Sequence, residues 1–328
     1  MKKSLVVLWT ALALAGLLIT GCKKNDGTGP DANQAPPGVT NEQNAMQYYA
    51  SNDGFVQNDE QTFDDKEIDP IDYGTFGKID AAITPLRFGR FITSVTRTVN
   101  ITVMPGDSIA IAHVHKDIIG TFKIKALNTN NDTVIIQKPF NDQSDRNVVF
   151  KRISSTDHFW ARWIPVATSL VDGGTVAPNN LINLTKLQLF LPSGDTITVT
   201  DPLNYYLRFA WESRFNRFWK GVPILLAGQP IKLQATVVSS SPDTDIVALR
   251  YGFDFFHKRR ARMVLVSEVN NGDGTYTRVY ETSRTSPLYV HFHRGFFHMG
   301  VDAATKATLY DDTAPYAVSW WGIPYRVF

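Results

Sequence analysis

Hydrophobic and polar positions change rhythm several times along this chain, and each change marks a different kind of segment. After Met1-Lys2-Lys3 comes an apolar run from Leu5 to Ile19, closed by Thr20-Gly21. A cationic start, a run short for a spanning helix and a small-residue exit describe a secretory signal over residues 1–21. From Lys23 to Thr40 apolar residues nearly vanish in favour of Lys, Asn, Asp, Gly, Thr and Pro. Such a stretch buries too little to offset its ordering entropy and reads as a flexible tether. Thr40-Asn41-Glu42-Gln43 then has capping-box spacing, and Ala45, Met46, Tyr48 and Tyr49 predict a short helix behind it. Asp53 to Asp72 is acidic, relieved by Lys66, and its spacing fits a solvated spacer better than a Ca²⁺ loop.

From Phe76 the period becomes two. Val99 to Val103, Ile109 to His115 and Thr121 to Ala126 alternate, with turn chemistry at Pro105-Gly106-Asp107 and at Asn128 to Asp132. Val134 to Ile136, Val148 to Ile153, Phe159 to Ile164, and the hairpin of Leu187 to Leu191 with Ile197 to Val199 extend the meander. No helical crossover separates these strands, so the sheet is expected to be antiparallel. Leu203, Tyr206, Leu207, Ala210, Trp211, Phe215 and Phe218 recur at steps of three and four. With Asp201 as cap and Gly221-Val222-Pro223 as stop, that spacing predicts an amphipathic helix over 202–220 between two domains. Strands resume at Ile231 to Val237, Asp245 to Phe256, Met263 to Val269 and Leu288 to His293. The chain thus divides into a signal (1–21), a tether with short helix and acidic spacer (22–75), a β-rich domain ending in a helix (76–221) and a β-sandwich (222–328). The fold class is mainly β.

Composition narrows the function. A net charge of +2 with 20% charged residues supports no nucleic-acid partner. The single Cys, Cys22, follows Ile19-Thr20-Gly21 directly and leaves no partner for a disulfide. Ile19-Thr20-Gly21-Cys22 resembles the lipobox of bacterial lipoproteins. The resemblance implies cleavage before Cys22, acylation of its thiol and amino terminus by chains such as palmitate, and attachment to a cell-envelope membrane. Lys23 is unlike the Asp that retains many such proteins in the inner membrane, which favours the outer membrane where the cell has one, facing the periplasm or the surface. Asn271-Gly272-Asp273-Gly274-Thr275-Tyr276, with Tyr280 beyond, resembles a segment of filamin-type and bacterial immunoglobulin-like repeats and implies an immunoglobulin-like sandwich over 224–328. A helix followed by a meander over 41–170 is similar to cup-like α+β folds.

Candidate chemistry is sparse. His291 and His293 share one face of a strand pattern, and His298 follows Gly295; together with Asp302 they would suit Zn²⁺, or would simply decorate a solvated face. His113 and His115 form a second pair of the same kind. Lys258, Arg259, Arg260 and Arg262 make the densest basic run, a contact for anionic lipid, lipopolysaccharide or acidic glycan, or a solvated strand. Neither a Gly-x-Ser-x-Gly elbow nor a Ser-x-x-Lys motif is present. The reading is therefore a lipid-anchored envelope protein with a non-catalytic ectodomain that binds or scaffolds an envelope protein or glycan, without a cofactor. A metal-dependent envelope hydrolase built on His291, His293 and His298 is the alternative.

Overall fold

Alternation runs further than the sequence breaks suggest. The computed structural model describes residues 35–52, 69–70, 82–153, 158–213, 216–220, 224–225, 228, 230–252, 259–285 and 296–327. After helix α1 (Glu42–Asn52) and the short strand β1 (Asp69–Pro70), three strands of 20 or 21 residues follow: β2 (Ile83–Val103), β3 (Ile109–Asn128) and β4 (Thr133–Arg152). The expected turns between them are present, Gly106 sitting at φ +91° and Asn131 at φ +65°, in the left-handed region those residues tolerate best. The break expected between Ile109–His115 and Thr121–Ala126 is absent. Asp117 and Gly120 are weak strand formers, but both pair on each side, Asp117 with Thr96 and Gln143, Gly120 with Ile92 and Phe140. Ladder pairing on two edges overrides local propensity.

The chain continues through β5 (Trp163–Ser169), β6 (Val171–Thr175), β7 (Ile182–Phe190), β8 (Thr196–Val199), β9 (Tyr206–Ser213), β10 (Asn216–Lys220) and β11 (Ile224–Leu225). Then come β12 (Pro230–Ser239), β13 (Ile246–Gly252), β14 (Arg259–Arg262), β15 (Val264–Asn270), β16 (Tyr276–Thr285), β17 (Phe296–Ala304), helix α2 (Lys306–Tyr310) and β18 (Val318–Val327). The large sheet runs β1-β2-β3-β4-β6-β18-β17-β13-β14, with β5, β9, β10 and β11 on branches, and the smaller runs β15-β16-β12-β7-β8. Among the described residues the pairing is antiparallel except between β11 and β18. The branch point is the free edge of β4. Asp142 to Asp145 pair with β6, whereas Val148 to Arg152 pair with β5. Between β5 and β6 the chain leaves the ladder at Leu170, whose N–H turns to the carbonyls of Pro202 and Tyr205.

The helix expected over 202–220 is not formed. Asp201 does cap, accepting the Asn204 N–H at 3.1 Å, but the helix it starts is a single 3₁₀ turn, Pro202–Asn204. Beyond it lie β9 and β10, paired with each other. Leu207, Phe209 and Trp211 alternate with Arg208, Ala210 and Glu212, a period of two that coincides with steps of four and favours the strand for aromatic residues. The domain boundary expected at 221/222 falls with the helix. β7 pairs with β12 and β6 with β18 across it, and Gly38–Phe328 forms one compact unit.

What does face what is a sandwich that begins earlier than expected. Its apolar interior takes Leu184, Leu187, Leu233, Val237 and Tyr280 from the smaller sheet, and Val247, Leu249, Val301 and Trp321 from the large one. Taking β7 as strand A, the facing sheets read D-E-B-A (β15-β16-β12-β7) and C′-C-F-G (β14-β13-β17-β18), the order of immunoglobulin sandwiches. The opposite face of the large sheet is covered at one end by α1, through Met46 and Ala50 on Ala110, Val114 and Phe150. At the other end α2 and the segment after it cover it, through Leu309 and Tyr316 on Phe122, Phe140 and Trp320. Helix α1 begins one residue later than the capping-box spacing placed it. Asn41 is the cap, accepting the Asn44 N–H at 2.8 Å. Glu42 is turned away to Trp163 Nε1 at 2.7 Å and Arg162 at 2.9 Å.

Candidate metal centre

Register brings the second histidine pair, His113 and His115, into a cluster. Directly opposed residues of antiparallel strands point to the same face. One such file crosses the large sheet as Ala261, Leu249, Val301, Trp321, Asp172, Asp145, His115 and Thr98. The first four are buried beneath the smaller sheet. The rest lie past its edge, and there the file turns polar. His113 and Asn147 are opposed in an adjacent file, and Asp117 stands two residues beyond His115 on the same face.

Asp145 is the hub. Its Oδ1 lies 2.9 Å from His113 Nε2 and 2.8 Å from His115 Nδ1, and His115 Nε2 lies 3.3 Å from an oxygen of Asp117. His113, His115 and Asp145 each offer a ligand atom within 4.8 Å of the other two. The outer nitrogen of His113, Nδ1, meets Asn147 Oδ1 at 3.0 Å. Asn147 is itself oriented, because its NH₂ donates to the Leu203 carbonyl at 3.2 Å and its main-chain N–H to Ser169 Oγ at 2.8 Å. Burial draws the His115 pKa down, but hydrogen bonds to Asp145 and Asp117 and their charges more than offset it, leaving it above the ordinary value. Next in the file, burial pushes the Asp172 carboxyl up to about 6; the Trp321 indole, donating to it at 2.9 Å, opposes this, and the charges of Asp145 and Asp201 add to it. The site is thus an electronegative patch with two imidazoles at its centre, their side chains 40% and 28% exposed, within reach of a solvated cation.

His291, His293 and Lys258 lie outside the described residues, as does Cys22. His298 is on β17, opposite Gly252 and Pro324. Asp302, the fourth ligand expected beside it, has both oxygens taken by Arg250, at 2.5 and 3.1 Å, and is held as an ion pair. Arg259, Arg260 and Arg262 form β14, paired with Tyr251, Arg250 and Ala248. A small cavity on the opposite face, lined by Phe88, Arg90, Phe122, Asp302 and Tyr316, presents polar groups already engaged: Arg90 on Asp142 at 3.3 Å, and Asp302 on Arg250. Sequence reading found His113 and His115 but missed Asp145, Asn147 and Asp172. The polar alternation of Gln143, Asp145 and Asn147 was the available signal; which strand it would oppose was not. No protein-family model matches this chain, and no curated protein matches its sequence.

Proposed function

We propose that this chain is a lipid-tethered protein of the bacterial cell envelope, anchored through acylated Cys22, whose β body binds or scaffolds an envelope protein or glycan and performs no chemistry. The observation that carries the reading is Ile19-Thr20-Gly21-Cys22 directly behind the apolar run. Two acyl chains give stable membrane attachment where one is marginal. The polar residues between Cys22 and Gly38 supply a spacer that needs no fixed conformation. The strand order of the sandwich supports an immunoglobulin-like module, an architecture that commonly presents loops at its ends for recognition. By its Lys23 the protein belongs at the outer membrane of a cell that has one.

Fractionation of Cys22→Ala tests the tether. The variant is expected in the soluble fraction with an unchanged circular-dichroism spectrum, while the parent incorporates labelled palmitate and stays in the pellet. A variant that still sediments with membranes after a high-salt wash would overturn the lipid-only attachment.

A further inference from the structure

We propose that His113, His115 and Asp145 bind one divalent first-row transition-metal ion, of which Zn²⁺ is the representative, on the part of the large sheet that the smaller sheet leaves uncovered. Hydrogen-bond arithmetic is the first argument. The Asn147 NH₂ faces the Leu203 carbonyl, so its Oδ1 faces His113 and can only accept. The proton of a neutral His113 ring is therefore on Nδ1, and Nε2 turns a lone pair toward a carboxylate oxygen 2.9 Å away. His115 sets both of its nitrogens against carboxylates, and a neutral ring has one N–H for the two. Lone pairs facing carboxylate oxygen need a cation between them. Extra protons on the imidazoles meet that need; so does one metal ion shared by Nε2 of His113, Nδ1 of His115 and Asp145.

Spacing is the second argument. Metal bonds of about 2.0–2.2 Å to His nitrogen and carboxylate oxygen put neighbouring ligand atoms of a tetrahedral site roughly 3.3 Å apart. The two His–Asp145 separations, 2.9 and 2.8 Å, need only a few tenths of an ångström of opening. Third, the surroundings are those of a ligand set. His113 is oriented through its outer nitrogen by Asn147, as metal-bound histidines commonly are, and Asp117 and Asp172 add negative charge beside the three ligands. Two imidazoles select a transition metal over Ca²⁺ or Mg²⁺, which take oxygen. The three ligands come from two strands locked in register over nineteen residue pairs, so the site is preorganised.

The test uses the intact mature protein in mild detergent, stripped with EDTA and titrated with Zn²⁺ by calorimetry, with Co²⁺ absorption as a second readout. One equivalent is expected to bind, undisturbed by millimolar Ca²⁺ or Mg²⁺. His113→Ala, His115→Ala and Asp145→Asn each remove a ligand and are expected to weaken binding at least about 100-fold, beyond the loss typical of an outer partner. Asn147→Ala, which removes only the orienting acceptor, is expected to cost about tenfold, and Asn147→Asp to restore it. His158→Gln serves as a control with parental affinity. Melting temperatures in EDTA within about 2 °C of the parent, a small stability change for a chain of this size, confirm that the variants fold. Absence of stoichiometric Zn²⁺ overturns the proposal. So does parental affinity in the His113→Ala/His115→Ala double variant, which would put the ion elsewhere in the chain, His291 and His293 included. None of these outcomes bears on the Cys22 tether, which fractionation decides separately.

Discussion

Arg278 is the residue on which the sandwich is expected to depend most, and the cost of losing it can be worked out from its partners. Its side chain and that of Asp245 are both fully buried, with Nη1 2.7 Å from Asp245 Oδ2. The rest of the guanidinium is also committed: Nε donates to Glu268 at 2.5 Å, and Nη2 to the carbonyls of Ser241 and Pro242 at 3.0 and 3.1 Å. Burial draws the guanidinium pKa down, and the hydrogen bonds to Glu268 and Asp245 more than restore it, so Arg278 stays charged; burial raises the Asp245 carboxyl, against the opposing hydrogen bonds and charge of Arg278. Arg278 thereby fixes the segment that leaves β12 and enters β13, which Ser239 and Tyr280 also hold, through Asp245 Oδ1 at 2.8 Å and the Asp245 N–H at 3.0 Å. Arg278→Met keeps the apolar stem but leaves a buried carboxylate unpaired, which costs about 3–5 kcal/mol. For a chain of this size that lowers the melting temperature by roughly 6–20 °C. The double variant Arg278→Met/Asp245→Leu removes both charges and is expected to recover at least about half of the loss, since apolar residues replace buried pairs with little penalty. Urea denaturation of the parent, Arg278→Met, Asp245→Leu and the double variant, followed by tryptophan fluorescence, gives the four free energies of the cycle. A melting temperature for Arg278→Met within about 2 °C of the parent, a change of at most about 0.5–1 kcal/mol for this size, would refute the reasoning. So would strictly additive losses, because they would mean that the two side chains do not share one energy.

Two further predictions concern the large sheet. A Cβ on Gly173 would lie 2.2 Å from the Trp320 ring, which covers it, so Gly173→Ala is expected to destabilise by about 1–3 kcal/mol through overpacking, seen as a lower urea midpoint; an unchanged midpoint would mean that the indole is free to shift. Asp172 has a folded pKa of about 6 against 3.8 for its ordinary value, so the fold binds the extra proton between those values and loses stability as pH rises through that window. Asp172→Asn keeps an acceptor for the Trp321 indole and removes the penalty. Measured in EDTA, it is expected to match the parent at pH 4 and exceed it at pH 7.5 by about 1–2 kcal/mol, the full shift of about 3 kcal/mol being reduced by solvent screening; equal stability at both pH values would count against a strained carboxylate.

Legibility in the sequence followed the range of the interaction involved. Turns were plain, because Gly106, Asn131, Gly194, Gly272 and Gly274 carry positive φ that few other residues accept. The β character of the chain was equally plain. Strand length was not, since Asp117 and Gly120 stay extended only because neighbours on both edges pair with them. The segment after Asp201 misled for a different reason. Its cap is real, but Leu207, Phe209 and Trp211 satisfy steps of two and of four alike, and pairing with β5 and β10 decides between them. The sandwich was anticipated from its Asn271 hairpin and placed some forty residues too late, as its first strand, β7, is separated from β12 by β8 to β11. Of the site, a strand with two histidines on one face was visible, and its carboxylate was not. Ligands on separate strands leave no local signature.

Why the polar cluster lies where it does follows from the way the large sheet is shared. A file of residues under the smaller sheet must be apolar, and Leu249, Val301 and Trp321 are. The same file continues onto β6, β4 and β3, because β6 joins β18 on one side and β4 on the other. Past Trp321 the file has no member in the sandwich core, so the selection for apolar side chains ends there. The backbone that holds the register does not end. His113, His115 and Asp145 therefore stand on two strands of twenty residues paired along nearly their whole length, while remaining open to water. Trp321 marks the transition in one side chain: its ring closes the sandwich core, and its indole N–H reaches Asp172 at 2.9 Å. Burial is what chiefly raises the Asp172 pKa, and the charge of Asp145 adds to it; a cation bound at Asp145 would ease that smaller part. Asp145 and Asp172, opposed in register, thus stand between the surface cluster and the edge of the hydrophobic core.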